Sequence, residues 1–406
     1  MLFAVIAGQA ADKPVKYKTL QSEAKTAIKN GNNQANAEKN LLAIVNREDI
    51  TKSQRADIYF TSAELERSIN NAENMKLYLR QAYDTTKFFS TILKMHEYML
   101  ACDSVESVAD DDGKVRLRHR TKIRELMLLS RSNLRSGGTF LLKKNKFAEA
   151  YPYFDMYLTT STHPIMQNVE RVTGDTLLPR VAYWATIAAY NASQPRLALK
   201  YIDQAIAGTR DSLRVLLQEY KVHCYESLGE EEHWVEQLVE GITRYPHHDY
   251  FYLHLMDVYE QQKEFDQAVA LCDTMLQRVG DRAIYWYGKS QMYLRKQDYE
   301  HTIQAANEAL RCDSSMVDAY YNKGMAYLNE AVIFAETACT DIRDPKCRQD
   351  REILQQLYRC AQEPFEQMRR LSPDDAQRWA SPLYRIYLNL NMGKEFSEME
   401  KILNEL

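Results

Sequence analysis

Histidines and cysteines are the residues of this chain best equipped for chemistry, and their spacing decides which chemistry is open to them. His223, His254 and His301, with the pair His247-His248, invite a metal reading. A helical zinc site needs two ligands one turn apart and a carboxylate partner. No two of these histidines stand one helical turn apart with such a partner, so they read as surface or partner-facing residues and no metal is expected. The seven cysteines include no Cys-x-x-Cys pair, which argues against a structural zinc site. Cys339 and Cys347 lie close in sequence on either side of Asp344-Pro345 and are a candidate disulfide. An oxidising compartment would close that loop; a reducing one would leave two free thiols. Cys224, Cys272 and Cys312 fall at helix-pair positions and read as small core residues.

Lys114, Arg116, Arg118, Arg120, Lys122 and Arg124 form the one basic run. On a helix, residues two apart point about 200° apart, so the charge spreads around the axis and reads as a solvated helix start. Net charge is −4 and the pI is about 6.2, so a basic face for nucleic acid is not expected. Gly-rich phosphate loops, Ser–His–Asp sets and paired carboxylates do not occur in a usable context, so no catalytic residue and no cofactor is assigned. Internal apolar runs are too short to span a bilayer.

The elements that must carry these residues are helices. Only 13 Gly and 10 Pro among 406 residues fit long helices joined by short turns. Residues 2–7 (Leu-Phe-Ala-Val-Ile-Ala) form a short apolar run followed by the small residues Gly8-Gln9-Ala10-Ala11. We read residues 1–13 as a signal peptide truncated at its start, against the alternative of a frayed terminus. That reading implies a periplasmic or cell-envelope location, with the cytoplasm as the alternative. Residues 14–130 read as a helical region of degenerate pairs, one with a turn near Asn70-Asn71. A long helix is expected over about 114–143.

Regularity is strongest further on. Tyr225, Tyr259, Tyr293 and Tyr327 stand at one constant interval. A period of this length, about 34 residues, marks stacked helix pairs, each burying its apolar face against the next. Units run at about 131–164, 179–212, 215–248, 249–282 and 283–316. The next starts on schedule with Tyr320, Gly324 and Tyr327, but its matching second half (Tyr358, Ala361, Phe365, Pro373) is displaced well down the chain. If the period held, the place of Ala361 would fall at position 336. An insertion is therefore expected at about 331–355. The ladder tyrosines are expected to be buried in the seams between helices.

Tyr252, Met256, Tyr259, Phe265, Ala268 and Met275 resemble the tetratricopeptide repeat pattern, and Tyr320, Gly324, Tyr327, Tyr358, Ala361, Phe365 and Pro373 resemble it again. The resemblance is strongest over 215–406. It covers 131–406 as a repeat array, and in overall make-up the chain also resembles cell-envelope repeat proteins of Gram-negative bacteria. It implies an all-α fold, a right-handed α-solenoid of stacked antiparallel helix pairs with a concave groove lined by first helices. The groove would show Tyr220, His223, Tyr250, His254, Asp257, Tyr287, Gln291, Arg295, Tyr321, Asn322, Met325 and Asn329. Some members clamp a partner's C-terminal carboxylate. Asn322 matches the middle asparagine of that clamp, but Tyr287, Gln291, Gln377 and Ser381 stand where its other residues would be, so such a clamp is not expected. The implied function is a non-catalytic scaffold that takes a partner protein or peptide in the groove. The alternative is a glycan- or small-molecule-binding repeat protein, with Tyr250, Tyr287 and Tyr321 as stacking platforms.

Overall fold

A computed structural model describes residues 16–341 and 343–406. The segment read as a signal peptide, residues 1–13, lies outside them. The described residues form helices and no strand. The chain divides into two compact units, one ending at Gly229 and the other running Glu230–Leu406.

In the first unit, α1 (Tyr17–Asn30) and α2 (Gln34–Ile44) pack on α3 (Lys52–Tyr78), which pairs with α4 (Thr85–Ser107). The turn expected near Asn70-Asn71 is absent, because α3 runs through it. Asn70 is buried, and its amide donates to the Phe88 carbonyl at 2.7 Å and to Thr91 Oγ1 at 3.0 Å. An asparagine with a partner helix to bond has no need of a turn. Between α3 and α4 lies a polar cluster in which Lys94 Nζ donates to buried Glu66 at 3.0 Å and Tyr98 donates to buried Glu38 at 2.5 Å.

After α4 the chain is not helical again until α5 (Arg120–Leu142), so the helix expected from Lys114 starts late. The basic run explains the delay. Three of its arginines find carboxylates. Arg116 pairs with Asp110 at 3.1 Å, Arg118 with Asp57 at 3.0 Å, and Arg120 grips buried Asp103 at 2.6 and 2.7 Å. The remaining helices are α6 (Phe147–Thr162), the short α7 (Glu170–Thr173), α8 (Leu178–Asn191), α9 (Pro195–Gly208) and α10 (Asp211–Leu228). The α5–α6 contact is close. A Cβ on Gly138 would lie 2.6 Å from the Phe154 ring, so no larger residue fits without displacing that ring.

The second unit holds α11 (Glu231–Arg244), α12 (Asp249–Gln261), α13 (Phe265–Val279), α14 (Ala283–Arg295), α15 (Tyr299–Cys312), α16 (Val317–Thr337), α17 (Pro345–Leu371), α18 (Ala376–Asn389) and α19 (Gly393–Glu405). First helices start at positions 249, 283 and 317, which reproduces the interval of the tyrosine ladder. The turn inside each pair needs one left-handed residue. Lys263 and Gln297 supply it, each at φ 60° and one period apart. One period further on stands Ala331, which is buried inside α16. With no left-handed residue there, the helix does not stop. Much of the inserted stretch is accordingly helical, with a short connection after Thr337. It lengthens both members of one pair, to 21 residues in α16 and 27 in α17, against 13 in α14 and 14 in α15.

The seam is carried by residues other than the tyrosine ladder. Phe251, Tyr252, Tyr285 and Phe365 are fully buried, whereas Tyr259, Tyr293 and Tyr327 are half-buried. The expected burial of the ladder is thus corrected. The early first-helix aromatics take the buried places instead, with Phe251 against Gly241 and Tyr252 against Gly288.

Candidate partner-binding face

Four successive first helices of the second unit, α12, α14, α16 and α18, bring ionic groups together around one phenol. Tyr287 on α14 is half-buried, and burial pushes its hydroxyl up to about 12. Asp318 on α16 and Glu260 on α12 add to the rise, while Arg378 on α18 and Arg295 on α14 oppose it. The fixed charges are already paired among themselves. Gln291 Nε2 and Arg295 Nε each donate to one oxygen of Glu260 at 2.7 Å. Arg378 Nη2 donates to Asp318 at 2.8 Å, and its guanidinium carbon lies 4.7 Å from the Tyr321 ring centroid. Tyr287 thus lies within the electrostatic reach of two charged clamps, each joining neighbouring helices.

The structure places the residues expected in the groove in different surroundings. Tyr287, Gln291, Arg295 and Tyr321 belong to this constellation. Tyr250, His254 and Asp257 lie along α12. Tyr250 and His254 pack ring to ring at 4.0 Å, and His254 Nδ1 is 2.8 Å from the Tyr250 carbonyl oxygen. Met325 and Asn329 are half-buried on α16. Asn322 is a correction, because it is buried and donates to Ser290 Oγ at 2.9 Å. Its amide ties α16 to α14 and does not face a partner. Tyr220 and His223 belong to the first unit, on α10. Tyr220 stacks on Tyr190 with centroids 3.9 Å apart, and exposed His223 meets the same ring edge-on at 5.5 Å.

Sequence reasoning missed Glu260, Asp318 and Arg378. Arg378 follows the displaced second helix, so period-based alignment stops being a guide there; it stands beside Gln377, which was considered. Glu260 and Asp318 look like ordinary helix-surface carboxylates until the neighbouring helix is in place.

The sequence search for metal ligands considered histidine pairs and passed over Cys102 and Glu106, one turn apart on α4. With His119 they offer ligand atoms within 4.8 Å of one another. In the structure these groups close an ion-pair network. His119 donates from its backbone N–H to Glu106 at 3.0 Å, its Nδ1 lies 2.7 Å from the same carboxylate, and Arg118 reaches that carboxylate at 3.4 Å. Burial, reinforced by Glu106, Asp103 and Asp57, holds the Cys102 thiol well above its usual range.

Cys339 and Cys347 are both free thiols here, so the disulfide expected for an oxidising compartment is not formed. Cys339 donates its backbone N–H to buried Asp350 at 2.8 Å, and Cys347 is buried on α17. Among the described residues no helix is long and apolar enough to cross a membrane.

No protein-family model matches the chain. No curated protein matches it either. Solved structures that it resembles are tetratricopeptide repeat proteins. The C-terminal part of such a protein from Cytophaga hutchinsonii shares 13% identity over 66% of this chain and 93% of its own, at a TM-score of 0.42. One from Bacteroides fragilis shares 16% identity over 65% of this chain and 97% of its own, at 0.33. The TPR2AB domain of yeast Sti1, in a complex with pHSP90, shares 13% identity over 81% of this chain and 98% of its own, at 0.25. The helix register of the chain itself carries the fold assignment: first helices at one constant interval, two of them joined to their partners through a tight turn with one left-handed residue, make this an all-α helical-repeat protein that resembles the tetratricopeptide type.

Proposed function

We propose that the chain is a non-catalytic scaffold that captures a segment of a partner protein on the first-helix face of its second unit. The observation that supports this reading is Tyr287, an aromatic surface within the electrostatic reach of the Glu260–Gln291–Arg295 and Asp318–Arg378 clamps. Aromatic rings and arginines are the side chains that dominate protein recognition. Charges already paired within one chain keep their geometry when a partner arrives, so little ordering entropy remains to be lost. An extended or helical peptide would lay apolar side chains on Tyr287 and Tyr321 and bond its backbone to the clamp residues. We place this activity in the cell envelope, on the strength of the apolar stretch at residues 2–7 and the small residues after it, with the cytoplasm as the alternative.

One observation favours the glycan reading. A cavity of about 630 Å³ on α14 and α15 is lined by Trp286, Tyr293 and His301 together with Gln304, Asn307 and Glu308, rings and polar groups of the kind that hold a sugar.

The test is affinity capture from native cell extract with the wild-type chain and with Tyr287→Ala/Tyr321→Ala. The double variant should remain folded, with a lowered melting temperature, and lose the captured protein. Undiminished capture would remove the proposed face from consideration. Release of every captured protein by soluble oligosaccharide would favour the glycan reading.

A further inference from the structure

The first unit carries a second site, remote in sequence from the partner-binding face and not used by it. A cavity of about 450 Å³ opens beside α5, lined by Arg131 and Arg135 on that helix, Arg171 on α7, and Asp175 and Tyr157. Arg131 is buried, at 7% exposure, with its guanidinium 3.7 Å above the Tyr157 ring. Nη1 donates to the Tyr157 carbonyl at 2.9 Å and to Thr160 at 3.0 Å. Its carboxylate contact is long: Nη2 reaches Asp175 at 3.5 Å, and the same oxygen accepts from Tyr157 at 2.6 Å. Its Nε–H is buried with no acceptor at all. Arg135 and Arg171 have no acidic partner among the described residues, although the chain is net acidic. Three guanidinium groups against one carboxylate leave two positive charges at the cavity. At its edge Leu129 is 80% exposed.

A buried cation that is not fully bonded by its own protein is costly, and unpaired arginines converging on the same cavity would repel one another unless an anion joins them. The planar fork of arginine matches phosphate oxygens two at a time. We infer that this cavity binds a dianionic phosphate monoester with an apolar body, the phosphate meeting Arg135 and Arg171 beside the fixed Arg131 and the apolar part resting on Leu129. The cavity is large enough for a small phosphorylated metabolite.

Isothermal titration of the full chain with phenyl phosphate, inorganic phosphate and benzoate tests the assignment. Phenyl phosphate should bind tightest; inorganic phosphate lacks the apolar contact and benzoate the second charge. Arg135→Gln and Arg171→Gln, which keep much of their aliphatic stems and break no internal ion pair, should each weaken phenyl phosphate by about tenfold or more. Their melting temperatures without ligand should match the wild type. Tyr287→Ala should leave phenyl phosphate binding unchanged, so failure here and failure of the partner-binding face are separable. The inference is overturned if phenyl phosphate does not bind, if the double Arg135→Gln/Arg171→Gln variant binds it as the wild type does, or if benzoate binds equally well.

Discussion

Two tyrosines one heptad apart on α12 carry different loads. Tyr252 is fully buried, its hydroxyl 3.3 Å from Cys272 Sγ and its ring edge-on to Tyr285 at 4.9 Å. Tyr259, the member of the ladder, is half-buried. Tyr252→Ala should therefore cost about 3–5 kcal/mol through a lost ring and a cavity. Tyr259→Ala should cost about 1–2 kcal/mol, because less apolar area returns to water. Urea unfolding of the two variants measures the difference, and equal losses would contradict the assigned seam. A second residue-scale prediction concerns Glu66. Burial is the main cause that pushes its carboxyl from 4.5 up to about 7; Lys94 opposes the rise and Glu38 adds to it. A folded-state value above the unfolded one means the native state holds the proton more tightly. That contribution to stability is full below about 4.5 and is lost as pH rises through about 7. Glu66→Gln should flatten stability across this window relative to wild type, which thermal unfolding at a series of pH values will read.

At the scale of elements, what decides where a helix ends is one backbone position per pair. Lys263 and Gln297 sit at φ 60°, where a Cβ is unfavourable, while Ala331 occupies the equivalent position in the interior of α16. The same substitution should therefore have opposite signs. Lys263→Gly should stabilise by about 0.5–1 kcal/mol by relieving the left-handed residue. Ala331→Gly should destabilise by about 1 kcal/mol or more, since glycine is poor in a helix interior and the methyl is buried. Chemical denaturation of both variants checks the pair of signs. The strap between α4 and α5 obeys a different rule: its arginines are held by carboxylates on α3 and α4, so tertiary ion pairs set where α5 begins, whatever the helix propensity of Lys114–His119.

For the whole molecule, the division at Gly229 separates the two proposed activities. The helices that surround Tyr287 all lie within Glu230–Leu406, and the arginine cavity lies in the other unit. A fragment comprising residues 230–406 should thus retain partner capture and show no binding of phenyl phosphate. Pull-down and calorimetry on the fragment check both halves. Capture that needs the full chain would contradict the assignment of the binding face to the second unit alone.

The sequence by itself determined that this chain is a stack of helix pairs, where the pairs begin from α12 to α16, and that one pair is enlarged by an inserted stretch. These are readable because a fixed period and amphipathic spacing are local, repeated signals. It also marked Tyr287, Gln291, Arg295 and Tyr321 of the candidate face, because such residues recur at a fixed register on successive first helices. Only the tertiary structure decided which of them are shared between helices. Asn322 turns inward because Ser290 on the neighbouring helix offers it an acceptor, and Glu260, Asp318 and Arg378 gain meaning only from partners on other helices, far away in sequence. The inserted residues, read as an interruption, continue two helices because Ala331 stays right-handed and buried. Burial and ion pairing are properties of neighbours, and a period along the chain records the neighbours only where the repeat is kept.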